Sequence, residues 1–208
     1  MRTRADPQTQ RKRILAAARR IFAQEGFART NTDDVARAAG ITRTLVYHYF
    51  QSKEEMLNAL MFDALERTDR LVADVRTQGG PAPVQIRRLV DGYFDLMDAH
   101  PGLAELLVDQ AALARGPAMP AYEMRLAHLR GSVLEWAIEV GGPTRPGFDP
   151  EQFLLVALGT VFFWFLPTPF GRALGAGSAS GQEAREQYKE TLCHLLVGWI
   201  AETSHQSC

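Results

Sequence analysis

Cysteine and long unbroken apolar runs are scarce in this chain, and each shortage excludes something. Cys193 and Cys208 are the only two cysteines in 208 residues. That leaves no disulfide framework and fits a reducing compartment. The apolar run at residues 153–166 is shorter than the roughly 20 residues a helix needs to cross a bilayer. No N-terminal stretch has the apolar core of a secretory signal, so a cytoplasmic protein without membrane association is expected. The five histidines, His48, His100, His128, His194 and His205, are scattered. No His-x-x-x-His, Cys-x-x-Cys, Gly-x-Ser-x-Gly or phosphate-cradling glycine loop occurs. A metal site, a cofactor and an enzymatic activity therefore have nothing to anchor them, and none is expected. Alternating strand patterns and internal repeats are missing too, which points to an all-α chain.

What is present is an uneven distribution of charge. The net charge is −1, yet residues 1–55 hold 11 Arg and Lys against 6 Asp and Glu, and the remainder holds 12 against 18. A basic N-terminal head suits contact with phosphates, and an acidic remainder limits non-specific adhesion. Apolar residues make up 46% of the chain, enough for a substantial core.

The helical period runs almost throughout and predicts about nine helices. After a polar arm at residues 1–8, the first helix covers about 11–25, with Ile14, Leu15, Ala18, Ile21 and Phe22 on its inner face and Gly26 as its stop. Arg11, Lys12 and Arg13 cluster at its start, and Phe27 is placed to plug the core beneath. Further helices are expected near residues 53–78, 83–99, 103–114, 120–140, 151–166 and 182–202, separated by Gly- and Pro-rich breaks.

Residues 31–50 read as two short helices joined by a tight turn. Asn31 or Thr32 can cap the first, and Val35, Ala36 and Ala39 give it one apolar face. Gly40 suits the left-handed position that ends a helix. Ile41 follows as a plug, and Thr42 can cap the second helix. There Val46, Tyr49 and Phe50 fall on one side, while Arg43, Thr44, Tyr47 and His48 fall on the other. A guanidinium, a hydroxyl, a phenol and an imidazole on one outer face make a helix suited to a DNA major groove. Arg43 can donate a bidentate pair to guanine or contact a phosphate. Thr42 and Thr44 can touch a base edge or a thymine methyl, and Tyr47 and His48 a phosphate or sugar. Ser52 and Glu55 have capping-box spacing, so Lys53 stands at a helix N-terminus with the means to hold a phosphate. Thr32 is similarly placed. Asp33 and Asp34 fit as helix-dipole partners, and either can accept from a cytosine amino group.

Taken together, Val35-Ala36, Ala39-Gly40-Ile41, Tyr47-His48-Tyr49-Phe50 and Ser52-Lys53-Glu54-Glu55 resemble the N-terminal domain of the TetR (tetracycline repressor) family of bacterial transcription regulators. The motif similarity covers about residues 11–60. That family usually has an apolar residue where Thr32 stands and often Gly-Thr-Leu where Thr44-Leu45-Val46 stand. The resemblance implies a DNA-binding domain at residues 1–55, an effector-binding and dimerisation domain at 56–208, and a homodimer on a palindromic double-stranded operator. It also implies that the His100-Pro101-Gly102 corner pushes on the helix at 53–78 when an effector binds.

In the second domain, large side chains that would face one another outline a ligand site: Tyr93, Phe94, Met97, Gln110, Tyr122, Leu126, Trp136 and Phe162, with Met119 and Phe163 beside them. Gln110 is polar on an apolar face, and a buried polar group needs a partner, which a small, mostly hydrophobic effector or a trapped water can supply. The stretch 151–166 is apolar nearly all round and so must be covered on every side. It pairs naturally with 182–202 as a dimer interface, with Leu158, Phe165, Tyr188, Leu192, Leu195 and Trp199 at the seam. The readings left open are a ligand-gated repressor, an effector-independent DNA-binding regulator, and an all-α carrier or enzyme.

Overall fold

The computed structural model describes residues 6–104, 119–141, 148–166 and 181–202, together with Ala173 and Ala176. The described residues form eight helices and no strand: α1 (Pro7–Glu25), α2 (Thr32–Ala39), α3 (Arg43–Tyr49), α4 (Lys53–Gln78), α5 (Ala82–Ala99), α6 (Met119–Gly141), α7 (Pro150–Phe165) and α8 (Gly181–Glu202). Most of the helix expected at 103–114, Gln110 included, lies outside the described residues. The first helix starts earlier than its apolar period suggests. Asp6 caps it by accepting from the Thr9 amide at 3.1 Å, and Pro7 takes the first position, where a missing N–H costs nothing. Residues 7 and 8, expected in a polar arm, are therefore helical.

Two compact units make up the chain: Met1–Leu65 with His100–Arg125, and Glu66–Ala99 with Leu126–Cys208. Helices α4 and α6 each run from one unit into the other.

The first unit is built on a three-helix head. Ile14, Ala18 and Phe22 of α1, Val35, Ala36 and Ala39 of α2, and Val46 of α3 are buried, together with Phe27 and Phe50. Phe22 and Phe27 meet edge to face at 5.1 Å. Asn31 caps α2 in a complete capping box: its side chain accepts from the Asp33 and Asp34 amides, and the Asp34 carboxylate accepts from its backbone N–H. Gly40 ends α2 at φ 62°, in the left-handed region.

Lys53 occupies a different place from the phosphate contact its position suggests. Its ammonium turns inward and donates to three carbonyl oxygens: Phe27 at 2.9 Å, Ala28 at 3.3 Å and Thr30 at 2.9 Å. It also lies 4.5 Å from the centre of the Phe27 ring. An ammonium has three N–H donors, so all are used in pinning the α1–α2 loop to the start of α4.

The corner after α5 also belongs to this unit. Buried His100 lies 3.6 Å from the Asp63 carboxylate on α4. Gly102 has φ 81°, and a Cβ there would lie 2.0 Å from the Cβ of Ala23 on α1. Only glycine fits such a close approach at that backbone angle.

In the second unit, Phe94 of α5 packs against Trp164, Phe165 and Tyr188, with ring centres 5.2 to 6.4 Å away. The Tyr188 hydroxyl donates to the Thr160 carbonyl at 2.7 Å, which ties α8 to α7. Burial raises the pKa of that phenol. Lys189 is buried between α5 and α8, 2.6 Å from Asp91 and 2.9 Å from Glu186. Burial opposes its charge, but hydrogen bonds to both carboxylates outweigh that and raise its pKa above the ordinary value. Arg87 bridges the same carboxylates at 2.8 and 3.0 Å. Removing any one member would leave one charge of the cluster in excess.

Two glycines predict opposite outcomes. Gly102→Ala should lower stability by about 2–5 kcal/mol, from overpacking and backbone strain combined. Gly131→Ala, on α6 with nothing within 4 Å of an added Cβ, should raise it by about 0.5–1 kcal/mol. Chemical denaturation reads both. Lys53→Ala should cost about 1–3 kcal/mol by stranding loop carbonyls. The salt dependence of the expected DNA binding should stay unchanged, whereas loss of a phosphate contact would make it shallower.

Candidate functional site

The outer face of the head is set by how little of α3 can be buried. With Val46 buried and Phe50 sealing the end, Arg43, Thr44 and His48 are left exposed and Tyr47 half-buried. Thr42 is spent as the cap of α3, its hydroxyl accepting from the Leu45 amide at 3.3 Å. His48 stands edge-on to Tyr49 at 5.2 Å. Thr32, in the first turn of α2, is buried.

Arg43 is the most connected residue on this face. Nη1 donates to Asp33 Oδ2 at 3.1 Å, Nε lies 3.1 Å from Asp33 Oδ1, and Nη2 donates to the Tyr47 hydroxyl at 3.3 Å. The guanidinium also stands 5.3 Å from the centre of the Tyr47 ring. Hydrogen bonds to Arg43 and then to Thr32 pull the Tyr47 phenol below its ordinary pKa. The Tyr47 hydrogen bond and then the Asp33 charge hold the guanidinium above its own. Four of these side chains, Thr32, Asp33, Arg43 and Tyr47, thus form one network across the two-helix motif.

Basic residues flank the network on other elements. Arg11, Lys12 and Arg13 are exposed at the start of α1, with Arg11 lying 5.0 Å from the centre of the Phe50 ring. Arg20 donates to the Ala38 carbonyl at 3.2 Å, and Arg37 pairs with Asp34 at 3.4 Å. Arg11, Lys12 and Arg13 can therefore reach phosphates that border a helix lying in a groove.

The second unit encloses a cavity of about 40 Å³. Thr68 and Val72 of α4, Tyr93 of α5, Trp136 of α6, Leu158 of α7 and Leu196 of α8 are among its walls, and no polar atom of the described residues faces it. The Trp136 indole N–H is turned to Gln85 Oε1 at 3.0 Å. Of the side chains expected at a ligand site, Tyr93 and Trp136 line this space. Phe162 stands edge-on to Tyr93 at 6.0 Å. Phe94 is held in the aromatic cluster with Phe165 and Tyr188, and Met97 is buried. Leu126 is 42% exposed. Tyr122 is buried in the first unit against Phe62, with its pKa raised by desolvation.

The residues expected at a dimer seam divide. Leu192 is buried within the protomer, Phe165 and Tyr188 pack on Phe94, and Trp199 meets Phe153 at 6.2 Å. Leu195 is 52% exposed. Leu155, which carried no separate signal within an apolar run, is 73% exposed.

The profile of the family described as bacterial regulatory proteins, tetR family, matches residues 14–60, the head and the start of α4. A similar protein is the HTH-type transcriptional regulator EthR of Mycolicibacterium smegmatis, 38% identical over 44% of this chain and 42% of its own length. The chain thus matches less than half the length of that relative. The HTH-type transcriptional repressor KstR2 of Mycobacterium tuberculosis is 26% identical over 86% of this chain and 89% of its own length. The structure of the ketosteroid transcriptional regulator KstR2 from that organism superposes with a TM-score of 0.71, over 95% of this chain and 98% of its own, at 22% identity. AibR, solved in complex with isovaleryl coenzyme A and operator DNA, superposes with a TM-score of 0.69, over 89% of this chain and 97% of its own, at 19% identity. These two likenesses concern the fold. Residues 14–60 thus match the tetR family of bacterial regulatory proteins by sequence, and the all-helical architecture is shared with the KstR2 structure along most of the chain.

Proposed function

We propose that this chain is a DNA-binding transcriptional regulator. It acts as a cytoplasmic homodimer that represses from a palindromic operator and is released by a small, mostly hydrophobic ligand. The observation that carries the reading is the exposed polar face of α3, set on a buried three-helix core and flanked by Arg11, Lys12 and Arg13. That is the chemistry a recognition helix needs: donors for base edges at its centre and cations for phosphates at its rim. The curated relatives are described as transcriptional regulators, which supports a binding role over catalysis.

Two surface stripes support dimerisation. Leu155 and Gly159 lie one turn apart on α7, and Leu195 and Gly198 lie three residues apart on α8. Both leucines are exposed, and a Cβ added at either glycine would meet nothing within 4 Å. A leucine beside a glycine gives a second copy an apolar knob and room for close helix approach. The inward-facing seam candidates, Leu192 and Tyr188, then support α8 from behind.

Ligand release rests on α4. This one helix supplies buried Met56 and Leu57 to the first unit and Thr68 and Val72 to the cavity wall in the second. A ligand that enlarges the cavity by displacing α4 would therefore strain the head. The cavity is far smaller than the roughly 300–1,000 Å³ of a typical ligand site, so binding must open it. That same smallness favours a second reading, an effector-independent regulator.

The purified protein should bind DNA from upstream of its own gene better than random duplex at equal salt. Equal affinity for the two would refute the reading. Leu195→Glu should sediment as a monomer and lose about 10²- to 10⁴-fold in affinity for a two-half-site operator, since avidity is lost. Normal dimers would place the seam elsewhere. For the ligand, hydrophobic candidates are titrated into free protein and into the DNA complex. A gating ligand should bind the complex about 5- to 150-fold more weakly, and equal affinities for every binder would select the effector-independent reading.

A further inference from the structure

Arg43 does not project freely from α3. Its side chain is 62% exposed, yet it is held on two sides, by the Asp33 carboxylate across the turn and by the Tyr47 hydroxyl one turn along its own helix. Tyr47 is itself half-buried, and Asp33 stands in the first turn of α2. Asp33 is committed to this contact. Its Oδ1 atom is sealed from solvent and accepts no hydrogen bond, keeping only the ionic approach of Arg43 Nε at 3.1 Å.

Counting donors shows what the clasp leaves available. A guanidinium has five N–H groups. The clasp uses one from Nη1 and one from Nη2, and sets Nε against Asp33. One N–H remains on each terminal nitrogen. Two N–H groups on neighbouring nitrogens are what an end-on fork to guanine O6 and N7 in the major groove requires. Without Asp33, the same long and flexible side chain could swing to a phosphate, where it would add affinity but no sequence information.

We propose that Asp33 is a specificity-determining residue: it holds the Arg43 guanidinium as a guanine-reading fork and keeps it off the phosphate backbone. The inference rests on the reading of the chain as a sequence-specific DNA binder. It assigns Asp33 a role its charge argues against at first sight, since a carboxylate close to DNA is repelled unless a cation neutralises it. Arg43 provides that neutralisation within the same surface.

The test is selection of duplexes from a pool with a randomised central region, using the full-length protein. Wild type, D33N, R43K and R43A are run in parallel, with thermal melts to confirm folding. Wild type should enrich a palindromic motif with one guanine in each half that R43A and R43K no longer select. R43K keeps a charge but not the fork, so its salt dependence should stay close to wild type. D33N should recover the rest of the motif with its preference for that guanine weakened about tenfold. It should also bind random duplex more tightly, with the slope of log affinity against log salt steeper by about one released counterion. If D33N folds poorly, D33S, with a small polar residue suited to a first helical turn, repeats the arm. An unchanged guanine preference in a folded Asp33 variant, alongside its loss in R43K, would overturn the role of Asp33 and leave the DNA-binding reading intact. Failure of wild type to enrich any motif would overturn both.

Discussion

Everything on the polar outer face of the head depends on the burial of one side of a seven-residue helix. An isolated helix shorter than about 12–15 residues is marginal in water. α3 therefore owes its existence and its orientation to tertiary contacts. Val46 and Phe50 are completely buried, Thr42 caps the start, and Gly40 turns the chain at φ 62° to bring α3 back onto α2. Once that side is fixed, helical geometry sends Arg43, Thr44 and His48 outward. Lys53 fixes the frame from behind, holding the loop that leads into α2 against the start of α4. The polar surface is thus a by-product of the packing, and its precision is that of the core.

Features with a local cause were legible in the sequence. The Asn31 cap, the Gly40 turn, the Thr42 cap and the Ser52–Glu55 spacing all follow from chemistry within four residues. The Glu55 amide donates to Ser52 Oγ at 3.2 Å, although the Glu55 carboxylate closes the motif on the Gln51 amide at 2.6 Å. Helical period located the buried faces of α1 and α2. What periodicity could not reach were contacts set by the tertiary fold. Lys53 carries a charge at a helix N-terminus, which on sequence grounds suggests a phosphate. Its carbonyl partners lie 23 to 26 positions away. Arg43 meets Asp33 ten positions back, and neither residue's type announces the other.

The ligand and dimer candidates show a different limit. Phe94, Phe165, Tyr188 and Leu192 are large and periodic, and such residues serve equally as core, as cavity wall or as interface. The structure buries Phe94 and Leu192 and packs Phe165 and Tyr188 on Phe94, with those two left partly exposed. Leu155, indistinguishable from its neighbours within a run of apolar residues, is the one most exposed. Burial is a property of the assembled helices, and an all-round apolar helix gives the sequence no contrast from which to read a face. Gly102 is similar. It reads as a helix breaker, but its larger role is the close approach to Ala23 that joins the corner after α5 to α1.

The central claim is that the outer face of α3 reads guanines in the major groove. Methylation interference tests it directly. Guanine N7 is methylated at random in free duplex, the protein is then added, and protein-bound and free fractions are compared base by base. Interference is expected at symmetrically placed guanines about one helical turn apart, one set in each half-site. Binding that is indifferent to N7 methylation everywhere, or that is disrupted only by methylation of adenine N3 in the minor groove, would contradict the account.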